Sequence, residues 1–370
     1  MLKTGSKRLI SMVVLMVFML SLSLVAGCGT ADQPATAPAD QPADTRTVID
    51  QAGREVVLPM EVNRIATTWR PCTFLVFAVG AQSKLVGVDG GSTSTPFTKG
   101  VYPQIADVPQ VGDKKHGINM EELVAAKPDV VCVWSGKGSE DMVKQLETQG
   151  IPTLVIIPES AEKMKEATLL LGDVLGCKDQ AQKVIAYYDQ VIADVTERLK
   201  DVPEADRKNV YLAGAQGVLS SCGSDFYQHF LIEKAGGVNV AAAMKGGWQN
   251  VSPEQIVSWD PDLIIADPYC KEGMEDVLKM NPGLKGLSAV KNNQLYSFPA
   301  IGQWSFPIPQ SAMGILWLSK TMYPEQFEDM NIEETVNQYY QDFFGKNYTD
   351  LGPTDLEGKG IAKNINDAKE

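Results

Sequence analysis

The sixteen residues NMEELVAAKPDVVCVW, Asn119–Trp134, read as a short helix that runs through a proline into an apolar strand. A second stretch, SPEQIVSWDPDLIIAD, Ser252–Asp267, follows 133 positions later and has the same order of roles. Glu121 falls over Glu254, Val124 over Val257, Pro128 over Pro261 and Asp129 over Asp262. Asn119 and Ser252 are good N-caps, and Glu122 and Gln255, three residues on, have the spacing of capping boxes. Pro253 takes the favoured first helical position, and Pro128 and Pro261 mark the helix ends and release the chain into its strands. The caps are complete on paper without Glu121 or Glu254. A carboxylate at the second helical position gains about 0.3–1 kcal/mol from the helix dipole. That explains each acid without a partner. The alternative is a pair of outward-facing charges, one on each half of the molecule.

Around this unit the pattern is α/β. RTVIDQAGREVVLP, from Arg46, alternates and turns at Asp50-Gln51-Ala52-Gly53, as a hairpin does. NRIATTW and KLVGVDG read as short buried strands, a helix is expected over Ser139 to Gln149, and PTLVIIP reads as another strand. From Ser160 to Val202 the sequence is helical, broken near Gly176. Its second piece of about 24 residues would span roughly 35 Å. Alternation then resumes with NVYLAG, FYQHFLIEKAGG, the second unit and QLYSFP, before a helical stretch from Gln310. Two parallel-sheet α/β halves flanking one long helix are the predicted architecture.

The chain has 370 residues, 44% of them apolar and 21% charged, enough for two domains with cores. A net charge of −13 argues against a nucleic-acid binder. Lys3, Lys7 and Arg8 precede an apolar run, Met12 to Ala26, too short to span a bilayer and right for a signal peptide. The Ala/Pro/Asp-rich stretch after Cys28 reads as a disordered tether, about 25 Å in root-mean-square reach. Five further cysteines, Cys72, Cys132, Cys177, Cys222 and Cys270, show no C-x-x-C spacing; Cys132 reads as a buried thiol, and one disulfide among the others is open.

Together these features resemble the substrate-binding lipoproteins of ABC importers that carry iron-siderophores, haem and cobalamin. LVAGC, Leu24–Cys28, resembles a lipobox, with Cys28 as the lipidated residue. IDQAGREVVLPMEVNRIA, YPQIADVPQVGD with GINMEELVAAKPDVV, GGWQNVSPEQIVSWDPDLII and AVKNNQLYSFP carry the likeness along nearly the whole mature chain. The resemblance implies two Rossmann-like lobes on a single backbone helix, modest hinge movement, and ligand in the interlobe cleft. It also implies a FecCD-type ABC permease as partner, whose arginines meet Glu121 and Glu254. The expected divisions are 1–27 signal peptide, 28–45 lipidated cysteine and tether, 46–158 N-terminal lobe, 159–202 helical segment and 203–370 C-terminal lobe with a helical tail. A monomer anchored to the outer face of a membrane is expected, with no catalytic residue, cofactor or bound metal.

Ligands of open α/β sheets lie beyond the carboxyl ends of strands. Those places hold Trp69, Arg70, Trp134, Ser135 and Tyr269, with Trp248, Gln303 and Trp304 on nearby loops. Trp259 and Trp317 lie within helices and are expected in the core. So many aromatic faces suit a large, partly apolar guest, and the resemblance points to a ferric chelate, haem or a corrinoid. A small oxyanion such as molybdate or tungstate is the alternative, with Arg70 and the Lys114-Lys115 loop as its first contacts.

Two rivals have less behind them. VWSGKGSED offers Gly136 and Gly138 for a dinucleotide loop, but Asp141 stands where the third glycine belongs, and no hydrolase motif occurs. A bare zinc or manganese site would want several imidazoles, and His116 and His229 are the only histidines.

Overall fold

The structure, a computed structural model, describes residues 44–113, 117–136, 138–270, 272–352 and 356. The stretch expected as a signal peptide, Cys28, Lys114, Lys115 and His116 lie outside them. Thr45–Ile49 (β1) and Glu55–Pro59 (β2) pair antiparallel as the predicted hairpin, starting one residue before the expected lobe boundary. The N-terminal lobe continues with Ile65–Thr67 (β3), Arg70–Ala78 (α1), Leu85–Asp89 (β4), Pro96–Val101 (α2), Gln110–Asp113 (β5) and Gly117–Ile118 (β6). Met120–Ala126 (α3), Val130–Trp134 (β7), Ser139–Thr148 (α4) and Thr153–Ile156 (β8) complete it. Its sheet has the order β6-β5-β4-β3-β7-β8. All pairs are parallel except β5 with β6. The hairpin turn covers the open edge of β8: Gln51 N–H donates to the Val155 carbonyl at 3.2 Å, and Val155 N–H to Asp50 Oδ2 at 3.0 Å.

Ala161–Val174 (α5) and Lys178–Arg198 (α6) form the predicted helical segment, broken at Gly176, where φ is 71°. The C-terminal lobe then runs through Asn209–Ala213 (β9), Ser220–Ser221 (β10), Tyr227–Lys234 (α7), Val238–Asn239 (β11), Gln249–Asn250 (β12) and Pro253–Trp259 (α8). Leu263–Ala266 (β13), Met274–Met280 (α9), Ser288–Lys291 (α10) and Leu295–Ser297 (β14) follow. Its parallel sheet has the order β11-β9-β13-β14.

Ser311–Met322 (α11) and Ile332–Phe344 (α12) form the tail. The division that assigns this tail to the C-terminal lobe needs correcting, because α12 packs on the N-terminal lobe. Phe97 of α2 meets Tyr340 at 5.9 Å and Phe344 at 5.0 Å between ring centroids. One hydrophobic cluster therefore joins Leu75, Leu171, Tyr188, Leu231, Trp317 and Tyr340. The chain crosses between lobes on α6 and again on α12, and both crossings are packed in a shared core. All five described cysteines are free thiols, with Cys72, Cys132 and Cys222 buried.

The repeated unit is a matched pair of anchored helices. Asn119 accepts from Glu122 N–H at 3.3 Å and Ser252 Oγ from Gln255 N–H at 3.2 Å. The capping boxes are only half made: Asn119 N–H is committed to the Val111 carbonyl, and the Gln255 amide turns to Ser258 Oγ. Each helix ends just before its proline in a left-handed residue that is not glycine, Lys127 at φ 44° and Asp260 at φ 37°. The aspartate after each proline ties the unit to the neighbouring strand. Asp129 accepts from Asn63 and Arg64 N–H groups at 2.8 and 2.9 Å, and Asp262 from Asn209 N–H at 2.7 Å. Caps, prolines and aspartates thus repeat for structural reasons. Glu121 and Glu254 are exposed and make no ion pair among the described residues.

Candidate functional site

The strand ends of both lobes converge on Arg70. It opens α1 directly after β3, and its Nη1 donates to the Tyr269 hydroxyl beyond β13 in the other lobe. The guanidinium carbon lies 5.6 Å from the centre of the Tyr269 ring. That hydroxyl donates in turn to Gln303 Oε1. Gln303 holds its place at φ 57°, a conformation that costs a residue with a side chain about 1–3 kcal/mol. Arg70 Nε is buried and has no hydrogen-bond partner among the described residues, although a charged donor left unmatched is expensive. Gly91 makes room for the guanidinium, since a Cβ there would fall 2.1 Å from Nη2.

Two buried carboxylates flank this contact, and neither was among the predicted site residues. Asp89 ends β4 and accepts from Gly91 N–H at 3.0 Å and from the Ser92 hydroxyl. Burial raises its pKa against the opposing pull of these donors and of Arg70. Asp267 follows β13 and accepts from Tyr269 N–H and Ser305 Oγ, each at 2.9 Å. Burial pushes it up to about 6. An acid at or just past the end of a strand was a readable signal in both cases.

The aromatic expectations divide. Trp69 and Trp134 meet edge-on at 5.0 Å beside Arg70, but Trp134 is largely buried and its indole N–H is taken by Glu159 at 3.1 Å. The Ser135 N–H closes the sheet by donating to the Ile156 carbonyl. Trp248 is half-buried, lies on Gly214 at the end of β9, and meets Phe226 at 5.7 Å. Trp304 is a correction. It is fully buried, donates to the Tyr340 hydroxyl at 2.9 Å and stacks on Tyr348 at 5.0 Å, so it belongs to the core. Trp317 is buried as expected, its indole N–H on the Leu356 carbonyl.

Two α/β lobes on a backbone helix, with polar side chains from both meeting at the strand ends, define an extracytoplasmic solute-binding protein. The periplasmic binding protein family profile matches residues 65–301, and the chain belongs to that family. It is 28% identical over 353 residues to the molybdate-binding protein MolA of Haemophilus influenzae, covering 88% of this chain and 97% of MolA. The structure of MolA bound to molybdate matches with a TM-score of 0.73 at 27% identity, over 84% of this chain and all (100%) of that one. YvrC of Bacillus subtilis, described as an uncharacterized ABC transporter substrate-binding lipoprotein, is 24% identical over 84% of this chain and 96% of its own length. The vitamin B12-binding protein of Salmonella typhimurium is 27% identical over 50% of this chain and 72% of its own. The protein is a substrate-binding component of an ABC importer.

Proposed function

We propose that this protein, anchored through a lipid on Cys28, captures a small tetrahedral oxyanion of the molybdate or tungstate class. It delivers the anion to a FecCD-type permease that it meets through Glu121 and Glu254. The observation that carries the choice of ligand is Arg70, held in the cleft with its Nε buried and unmatched among the described residues and its Nη1 on the Tyr269 hydroxyl. A guanidinium with an unspent Nε–H is a donor for an oxyanion, and such charge-assisted bonds are the strong ones. Tyr269, whose own proton goes to Gln303, positions the guanidinium. The similarity to MolA along nearly the whole chain supports the same reading. The large-guest reading has lost Trp304 to the core and half of Trp134 to Glu159.

One observation still favours a chelate: Trp69 in one lobe and Trp248 in the other remain only partly buried at strand ends. A melting-temperature screen separates the two. Saturating molybdate or tungstate, at about 100 times Kd, would stabilise the fold by about 2.7 kcal/mol, while iron chelates, haem and cobalamins would leave it unchanged. A response to a chelate and none to either oxyanion would reverse the assignment.

A further inference from the structure

We infer that the two permease-facing surfaces are unequal, and that the one on the N-terminal lobe seats an apolar side chain of the permease in a groove beside Glu121. The inference rests on the reading that Glu121 and Glu254 face the permease, and adds what lies next to them. In both repeats the residue one helical turn beyond the glutamate is an exposed valine, Val124 at 49% and Val257 at 45%. Neither the caps nor the aspartate ties need an apolar residue there, and on a solvated face a β-branched side chain adds nothing to a seven-residue helix. Both helices are held rigid at each end by the cap, the left-handed residue and the aspartate. Each lobe therefore presents a fixed carboxylate with a fixed apolar spot beside it.

The surroundings of the two spots differ. On the N-terminal lobe, α3 and α4 stand apart and leave a groove of about 660 Å³ lined by Met120, Val124 and Ala125 from one helix and Gln145 and Thr148 from the other, with Glu121 on its rim. On the C-terminal lobe, the segment after β13 closes onto α8. Residues Pro282–Gly286 pack there, Leu284 is buried in one cluster with Ile256, and Asp260 holds Ser288 N–H at 2.7 Å and its hydroxyl at 2.8 Å. A rim carboxylate and an apolar lining together fit a permease loop in which an aliphatic or methionine side chain sits beside an arginine or lysine. The carboxylate selects the cation, and the groove accepts its neighbour. With like charges on both lobes, this groove lets a permease tell one lobe from the other.

The test uses the full-length lipoprotein and the permease–ATPase complex of the same organism in lipid nanodiscs, with affinity measured at two salt concentrations. Ala125→Trp fills the groove, and Ser258→Trp places the same bulk at the equivalent exposed position of α8. The expected result is a loss of about tenfold or more for Ala125→Trp, largely independent of salt, and a change within about twofold for Ser258→Trp. Equal losses from both variants, or none from Ala125→Trp, would overturn the inference. Glu121→Arg and Glu254→Arg are run alongside. If they weaken binding while Ala125→Trp does not, the groove alone fails; if they too have no effect, the permease-facing assignment of both lobes fails with it. Tightening on deletion of residues 29–43 would show the tether, and not the permease, to be the groove's occupant.

Discussion

Arg70 and Tyr269, 199 residues apart in sequence, meet hydroxyl to guanidinium across the cleft, so one hydrogen bond reports on both lobes at once. Tyr269 also donates to Gln303. Removing the guanidinium takes away the charge that an oxyanion needs. Arg70→Ala should weaken molybdate binding by about 1.5–3 kcal/mol, or roughly 10- to 150-fold, and Tyr269→Phe by about tenfold or less, as measured by titration calorimetry. Arg70→Lys should rescue little, because an ammonium cannot reproduce the fork. Unchanged affinity in Arg70→Ala would remove this residue from the site.

Asp267 predicts a pH dependence of stability. Its pKa is about 6 in the folded protein against about 3.9 unfolded, so between these values the folded state binds more protons. Stability should therefore fall as pH rises from about 4 to about 6 and then level, a loss on the order of 3 kcal/mol from this group. Asp267→Asn should flatten that slope in urea titrations. A bound anion would favour the protonated carboxyl still more, so molybdate affinity should rise as pH falls from about 8 toward 6. Binding that weakens over this range would count against an anion close to Asp267.

Two glycines separate the ligand classes. A methyl group at position 91 would fall 2.1 Å from Arg70 Nη2, and one at position 214 would fall 2.4 Å from the Trp248 ring. Each would move one side chain aside. Gly91→Ala should reproduce much of the Arg70→Ala binding defect while Gly214→Ala leaves oxyanion affinity within about threefold, since only the former disturbs a charged donor. The opposite ranking in equilibrium binding assays would mark Trp248 as the main contact and favour a stacked chelate.

The architecture was legible because its signals are local. Caps, apolar runs and the paired prolines of the 119–134 and 252–267 units depend on residues within a few positions of one another. The site was half legible. Arg70, Tyr269 and Gln303 follow from the rule that ligands lie past strand ends, which locates a loop but not the direction of each side chain. Gln303 turns the chain at φ 57°, so its own side chain reaches Tyr269 while Trp304 next to it reaches Tyr340. Asp267 looked like the last residue of a repeat because Ser305, which holds it, lies 38 positions away. The placement of α12 on the N-terminal lobe likewise rests on ring contacts such as Phe97 with Phe344, which no local pattern announces.

Lipidation is the simplest proposal to check. Cys28→Ser should release the processed protein from membranes, since acyl chains contribute about 0.8 kcal/mol per buried methylene. Among the described residues no helix is long and apolar enough to cross a bilayer. Blotting of membrane and soluble fractions after a high-salt wash reads the outcome, and retention of the variant would argue against a lipid on this cysteine.

Trp304 and Trp248 should respond oppositely to truncation. Trp304 fills the core between Tyr340 and Tyr348, and Gly314 packs so tightly against it that a Cβ there would meet the Trp304 carbonyl at 2.7 Å. Trp304→Ala would leave a cavity and an unmatched Tyr340 hydroxyl, costing about 3–5 kcal/mol. Chemical denaturation should show that loss, with ligand affinity nearly unchanged in the fraction that remains folded. Trp248 is half-buried and covers Gly214 at a strand end, so Trp248→Ala should cost about 1 kcal/mol of stability or less. Its effect on binding then depends on the guest: small for an oxyanion held by Arg70, large for a ring system that stacks. A Trp304→Ala protein of normal stability with lost binding would return that residue to the cleft and revive the aromatic pocket.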